Sequence, residues 1–222
     1  VLAIVWLGSI LSLKQDLGRA KAKPKFRDIF SKSRAINILS AARLFLFGAR
    51  DVWFVVALPV FLHETLGWDF WAVGGFLATW VIAYGIVQTI APSFTRRRSG
   101  KTPDGRTALT WAAPLAVVPA GIAVGLILLD SSGPVLIGGL LVFGVLFAVN
   151  SSLHSYMIVS YAQEDGVSLD VGFYYMANAI GRLIGTLLSG WVFQVWGLTA
   201  CLWVSFVFIA LAALISVRLP RH

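Results

Sequence analysis

Residues 43–61 read RLFLFGARDVWFVVALPVF, a long apolar run that contains Arg43, Arg50 and Asp51. A membrane-spanning helix needs about 20 mostly apolar residues, and this stretch with its flanking residues has that length. Ionisable residues inside such helices are costly and rare, and they usually face a bundle interior or a water-filled cavity. The stretch therefore predicts a transmembrane helix that carries a polar site.

The composition of the whole chain agrees with a membrane location. Of its 222 residues, 58% are hydrophobic and 13% are charged, whereas soluble domains have about 45–50% apolar and about 25% charged residues. The polar residues are too few to cover a water-facing surface. We therefore expect an all-α integral membrane protein whose surroundings are the lipid bilayer.

The net charge of +8 would also suit a nucleic-acid-binding protein, but the positions of the basic residues argue against that class. Eight of the 18 Lys and Arg residues lie in 14–34, five in 96–106 and two in 218–221. These are short connections between apolar runs, where positive charge orients membrane proteins. A nucleic-acid reader would have a basic face on a soluble fold, so we expect no nucleic acid among the partners.

Signatures of catalysis or of bound metal are missing from the sequence. It contains no Ser-His-Asp, HExxH or CxxC arrangement, and its single cysteine, Cys201, lies in an apolar run. One cysteine cannot form a disulfide framework or a cysteine metal cluster. We therefore expect neither an enzyme nor a resident cofactor or metal.

Six apolar runs of spanning length predict six complete transmembrane helices. They cover residues 35–62, 69–92, 107–129, 134–161, 171–196 and 199–217. Residues 1–13 are expected to be the tail of a truncated preceding helix, residues 14–34 a basic loop, and residues 35–222 the six-helix bundle. All the basic residues of the loops and of the C-terminal tail fall on one side of this alternating topology. The positive-inside rule makes that side, with the C-terminus, cytoplasmic.

Three basic residues remain inside the predicted helices: Arg43, Arg50 and Arg182. Arg43 and Arg50 are seven residues apart, so they project from one helix face. Arg43 lies nearer the helix start and is expected to extend towards the cytoplasmic interface, whereas Arg50 lies near the midplane. Asp51 follows Arg50 at about 100° round the helix, so we expect these two side chains not to face each other.

Two interpretations of these charges remain open. In the structural interpretation, Asp51 pairs with Arg182 on a neighbouring helix and fixes the packing. In the functional interpretation, three arginines against one carboxylate leave an excess of two positive charges that an anionic substrate neutralises. Asp51 is then either the partner of Arg182 or a proton-coupling carboxylate. Guanidinium groups bind phosphate and carboxylate through two parallel hydrogen bonds, so the functional interpretation predicts an anion-binding cavity.

Two more predicted helices carry polar residues at membrane depth. Asn150 and His154 are four residues apart and share a helix face, and so do Asn178 and Arg182. His154 can change charge near neutral pH, and a packed structural role is its alternative. The candidate substrate-binding residues are therefore Arg43, Arg50, Asn150, His154, Asn178 and Arg182.

Small residues recur every four positions in 171–196, at Ala177, Gly181, Gly185 and Ser189. Such stripes let helices approach closely in lipid, and close packing is the role that we predict for this one. The stripe indicates a compact bundle rather than separate membrane anchors.

These features together resemble the C-terminal half of a major facilitator superfamily permease, with residues 1–13 ending its N-terminal half. More narrowly, FLFGARDVWFVVALPVFL (45–62) and YYMANAIGRLIGTLLSG (174–190) are similar to the organoarsenical efflux permease of bacterial arsenic-resistance operons. The loop APSFTRRRSGKTPDGR (91–106) lies where the superfamily repeats a basic motif. It lacks the usual aspartate before the arginines, which leaves a gating role of this loop unsupported.

The resemblance implies a secondary active transporter that exports 1-arseno-3-phosphoglycerate by alternating access from the bacterial cytoplasmic (inner) membrane. It implies two partners: the missing N-terminal half of the same permease, and a companion glyceraldehyde-3-phosphate dehydrogenase that makes the substrate from arsenate. The first and fourth helices of each half line the cavity in such permeases. These are 35–62 and 134–161 here, which places Arg43, Arg50, Asn150 and His154 at the cavity and Arg182 nearer its edge.

Two alternatives to this function stay open at the level of sequence. One is a permease for another small organic anion or a drug, and the other is a membrane protein without transport activity, such as a scaffold or an intramembrane enzyme. Charges at membrane depth on several helices favour transport over a scaffold.

Overall fold

The computed structural model describes residues 33–97, 103–130, 132–162 and 167–220, together with Gly8. All regular elements in these residues are α-helices: α1 (Arg34–Phe54), α2 (Ala57–Glu64), α3 (Phe70–Arg97), α4 (Gly105–Leu128), α5 (Ser132–Tyr161) and α6 (Val167–Ser216). The predicted helix tail at 1–13 and the basic loop at 14–34 lie outside the described residues, except for Gly8, Ser33 and Arg34.

Five helical stretches in the described part of the chain are long and apolar enough to cross a membrane, when α1 and α2 are counted together. They cover Arg34–Glu64, Phe70–Ser93, Gly105–Leu128, Ser132–Tyr161 and Val167–Ser216. The predicted all-helical fold and its transmembrane character are therefore confirmed.

The predicted helix 35–62 is interrupted, and this is a correction to the sequence-based boundaries. α1 ends at Phe54 and α2 begins at Ala57. The cause is Pro59, which has no N–H and whose ring excludes the carbonyl group of Val55, four residues earlier. The interruption frees backbone N–H groups, and Ser189 of α6 accepts two of them: its Oγ lies 3.3 Å from Val56 N and 3.1 Å from Ala57 N.

α6 changes direction at Gly197, whose φ of 77° and ψ of −175° are not helical. Glycine adopts a positive φ without the steric penalty that a Cβ atom brings. A Cβ placed on Gly48 would lie 3.0 Å from Gly181 O and 3.1 Å from the Phe208 ring. A straight helix would separate residues 181 and 208 by about 40 Å. Because both contact one point on α1, the chain folds back at Gly197 into a first arm (167–196) and a second arm (198–216).

The small-residue stripe of the first arm packs against α1, as predicted. A Cβ on Gly181 would collide with the carbonyl group of Leu44, and one on Gly185 would lie 2.6 Å from the carbonyl oxygen of Gly48. The two backbones are therefore in direct contact, which is possible only because these positions lack side chains. The close approach brings polar side chains on either side of the stripe within hydrogen-bonding distance of α1.

α1 lies at the centre of the bundle and is buried along most of its length. Its most extensive contacts are with α6, while α4 packs on α5 and α6, and α3 packs on α5. An aromatic layer fills the interface between α1 and α5, with Phe47 and Trp53 on α1 facing Phe147 and Phe143 on α5. The charged residues of α1 therefore lie between an aromatic surface and a glycine-rich one.

Gly181→Ala is expected to destabilise the bundle, because the added methyl group would meet the backbone of Leu44. Overpacking of this kind costs about 1–3 kcal/mol. Gly190→Ala on the same arm is the matched control, since nothing in the described structure lies within 4 Å of its Cβ position apart from its own helix backbone and chain neighbours. Melting temperatures of the purified variants in detergent measure the difference, and equal values would contradict a packing role for Gly181.

Candidate functional site

Asp51 is the centre of a charged cluster between α1 and the first arm of α6. Its side chain is 1% exposed, and its two carboxylate oxygens have different partners. Oδ1 accepts a hydrogen bond from Nε of Arg50 at 2.6 Å and forms an ion pair with Nη2 of the same guanidinium at 2.6 Å, and Oδ2 accepts a hydrogen bond from Nε of Arg182 at 3.0 Å. One carboxylate thus bridges two guanidinium groups, and the structure contains the Asp51–Arg182 pair expected from the sequence.

The expectation that Arg50 and Asp51 would not face each other is wrong. Their Cβ atoms do leave the helix about 100° apart, but the arginine side chain is long enough to turn back along its own helix. Burial raises the strength of the attraction, since the effective dielectric constant inside a protein is far below that of water. Arg182, on the facing helix α6, binds Oδ2 of Asp51. Oδ1 is therefore free to accept from Arg50.

Arg43 is more deeply buried than Arg50, with 4% of its surface exposed. Its Nε donates to Asn178 Oδ1 at 3.1 Å, and its Nη1 donates to the carbonyl oxygen and the hydroxyl of Ser151 at 3.2 and 3.3 Å. The expectation that Arg43 extends to the cytoplasmic interface is therefore wrong. Its guanidinium instead donates to acceptors on α5 and α6 inside the bundle.

Both arginines of α1 also contact aromatic rings. The Cζ of Arg43 lies 3.9 Å from the ring centroid of Phe47 and 5.1 Å from that of Tyr174. The Cζ of Arg50 lies 5.2 Å from the Phe47 centroid and 5.5 Å from the Phe147 centroid. We call this alternation of Tyr174, Arg43, Phe47, Arg50 and Phe147 the guanidinium column.

Sequence reasoning placed Tyr174 one turn before Asn178 in the polar patch of its helix, but it did not identify Phe47 and Phe147 as part of the site. Phe47 lies four residues after Arg43 and three before Arg50, and residues at these spacings are neighbours on a helix surface. That signal was present in the sequence. The contributions of Tyr174 and Phe147 required the tertiary structure, because they come from other helices.

Arg182 lies on an exposed polar face of the first arm. Its side chain is 53% exposed, compared with 13% for Arg50. Tyr175 and Thr186, seven residues before and four after it, share this face, and the sequence reasoning missed both. An exposed arginine at membrane depth is expected to face a water-filled cavity or another protein surface. Arg50 and Arg182 are therefore the accessible side of the cluster.

Asn150 and His154 are buried on α5, at 0% and 2% exposure, and the structure gives them different surroundings from those of the arginines. Asn150 Nδ2 donates to the backbone carbonyls of Trp111 and Leu146 at 2.8 and 2.9 Å, so it ties α4 to α5. Nδ1 of His154 has no hydrogen-bond partner among the described residues. Of the predicted site residues, the structure joins Arg43 with Asn178, and Arg50 with Arg182 through Asp51.

The charge balance of the site favours anion binding. Arg50 and Arg182 share one carboxylate, and the hydrogen bonds of Arg43 go to uncharged acceptors. Three guanidinium groups and one carboxylate therefore leave a net excess of two positive charges in this part of the described chain. The described residues contain no group of three or more His, Cys, Asp or Glu side chains placed to hold a metal ion. The arrangement can bind a small anion through the N–H groups that Asp51 does not occupy.

No protein-family model matches the sequence, and no curated protein matches it at a significant level.

The shared carboxylate predicts a rank order of stability. Asp51→Asn should be the most damaging change, because it leaves Arg50 and Arg182 without a counter-charge, and breaking a buried pair costs about 3–5 kcal/mol. Arg182→Gln should be mild, because the Arg50–Asp51 pair survives. The double variant should lie between them, with Arg50 alone unpaired. Folded yield and melting temperature in detergent give the order, and equal stability of all three variants would refute the bridge.

Arg43→Lys is expected to destabilise the protein although it keeps the charge. A single ammonium group cannot reproduce the fork that reaches Asn178 and Ser151 from different nitrogens, and hydrogen bonds from charged groups contribute about 1.5–3 kcal/mol each. Arg34→Lys at the exposed start of the same helix is the control. Thermal unfolding of both variants tests this, and a melting temperature of Arg43→Lys equal to that of the control would contradict it.

Proposed function

We propose that the protein is a secondary active transporter that exports a small organic anion by alternating access. The observation that supports this most directly is the excess of two positive charges in a bundle of membrane-spanning helices. Such an excess is unfavourable for a purely structural protein, because intramembrane charges are costly unless they are paired. An anionic substrate would supply the missing negative charge each time it enters.

The proposed topology has six membrane crossings: α1 with α2, α3, α4, α5 and the two arms of α6. Basic residues in the connections and in the C-terminal tail support a cytoplasmic C-terminus. In this proposal the bundle is the C-terminal half of a major-facilitator-type permease of the bacterial inner membrane. Its partner is an N-terminal half of the same permease, and the exposed face with Arg182 borders the cavity between the halves.

The proposed substrate is an organoarsenical phosphate ester such as 1-arseno-3-phosphoglycerate. This choice rests on the likeness of the segments around Arg50 and Arg182 to the organoarsenical efflux permease, and the arginine excess agrees with it. The phosphate group suits guanidinium recognition, because its oxygens accept parallel N–H hydrogen bonds. A glyceraldehyde-3-phosphate dehydrogenase would act upstream, and the permease itself would catalyse no chemical step and need no cofactor.

Asp51 acts in this mechanism as the counter-ion of both Arg50 and Arg182. Its Oδ1 accepts a hydrogen bond from Arg50, and its Oδ2 accepts one from Arg182. The side chain of Arg182 is 53% exposed and that of Arg50 is 13% exposed, so an incoming anion reaches Arg182 more easily than Arg50. We propose that the substrate enters at Arg182 and is then shared with Arg50.

Arg50→Lys is expected to lose most of the transport activity while keeping the charge and the expression level. The ammonium group of lysine binds an anion as a point charge and lacks the planar fork. The measurement is arsenic accumulation in everted membrane vesicles that carry the full-length protein. The vesicles are supplied with arsenate, NAD⁺, glyceraldehyde 3-phosphate and the dehydrogenase, and protein amounts are matched by blot.

Arg106→Lys, at the exposed start of α4, is the matched control and should transport like the unaltered protein. Normal transport by Arg50→Lys would contradict recognition through the planar fork. Normal transport by Arg50→Gln would remove the anion site from the proposal. Accumulation of a different labelled organic phosphate, without arsenic, would keep the transporter and change its substrate.

A further inference from the structure

The guanidinium column stabilises Arg43 and Arg50. Arg43 depends on it more, because its hydrogen bonds go to uncharged acceptors. Phe47 is its central ring, since the Cζ atoms of both Arg43 and Arg50 lie over it at 3.9 and 5.2 Å. The ring is 7% exposed, so these contacts are shielded from water. Attraction between a cation and the face of an aromatic ring grows when the pair is desolvated. Phe47 therefore lies between the two guanidinium groups and stabilises both of them.

A ring and a carboxylate stabilise a guanidinium in different ways. A carboxylate neutralises the charge and occupies the N–H groups, which point outwards in the guanidinium plane. An aromatic ring interacts through its face, and it leaves both the net charge and the in-plane donors in place. A site that must hold arginines at membrane depth and still attract an anion gains from rings more than from further carboxylates.

We propose that Phe47 is a positioning residue of the anion site, and that its ring face keeps Arg43 and Arg50 apart, in place and able to bind an anion. This inference rests on the proposed function. It goes beyond that function by assigning a determinant of anion affinity to an apolar residue that makes no hydrogen bond through its side chain. Replacing the ring by an aliphatic side chain should therefore weaken anion binding more than it weakens folding.

The competing explanation is that Phe47 only fills the core, and the chain offers a matched control for it. Phe143 is also buried and aromatic, and it contacts the same neighbour: the Phe143 and Phe147 centroids are 5.5 Å apart, and those of Phe47 and Phe147 are 5.1 Å apart. Among the described residues no guanidinium lies over the Phe143 ring. Phe143→Leu thus removes an equivalent packing contact and leaves the arginines untouched.

The experiment measures the melting temperature of the purified full-length protein in detergent over a series of inorganic phosphate concentrations at constant ionic strength. A ligand that binds only the folded state raises the melting temperature by an amount that depends on the ratio of its concentration to its dissociation constant. Phe47→Leu should raise the phosphate concentration needed for a given rise in melting temperature by about tenfold, as expected for loss of a desolvated cation–π contact. Phe143→Leu should leave that concentration unchanged, and Phe47→Tyr, which keeps the ring face, should restore it.

The other possible results refute either the positioning role of Phe47 or the anion site itself. If Phe47→Leu and Phe143→Leu shift the phosphate dependence equally, or if Phe47→Leu does not shift it, the positioning role of Phe47 is refuted. If phosphate has no effect on the unaltered protein, or the same effect on Arg50→Gln, the anion site and the proposed function fail instead. Should Phe47→Leu not fold, Phe47→Met replaces it, because methionine fills a similar volume without a ring face.

Discussion

The carboxylate of Asp51, shared between Arg50 on its own helix and Arg182 on α6, is the interaction on which the rest of the bundle depends. It is possible only because Gly48 and Gly185 bring the two backbones into contact, which places a short aspartate within reach of the facing helix. The dependence is mutual, since Arg50 would otherwise be a nearly buried cation without a counter-charge. Packing and electrostatics are therefore inseparable at this crossing.

The three arginines of the cluster are stabilised by different kinds of partner. Arg43 is stabilised by neutral acceptors and by the rings on either side of it, while Arg50 combines a ring with a carboxylate. Arg182 has one bond to Asp51 and is otherwise exposed. In the proposed mechanism, this gradient from buried to exposed gives an anion a route of entry to the excess positive charge.

Sequence reasoning succeeded where the signal is a sum over many neighbouring residues, and it failed where one contact decides. The stripe of Gly181 and Gly185 predicted close helix packing, because period and residue size are local properties. The break after Phe54 was missed, although Pro59 is visible in the sequence. A proline can kink a helix or end it, and here Ser189 settles the outcome by accepting the freed N–H groups of Val56 and Ala57.

The sequence by itself determined that the chain is helical, apolar enough to span a membrane and richer in intramembrane arginine than in carboxylate. These properties follow from composition and from the length of apolar runs, which the bilayer thickness constrains directly. Only the tertiary structure decided that Arg50 turns to Asp51, that Arg43 is held by Ser151 and Asn178, and that aromatic rings separate the cations. Ser151 and Asn178 lie more than a hundred residues from Arg43 along the chain, whereas Asp51 is adjacent to Arg50. In both cases the choice of partner depends on burial and distance in the folded bundle, which no local pattern encodes.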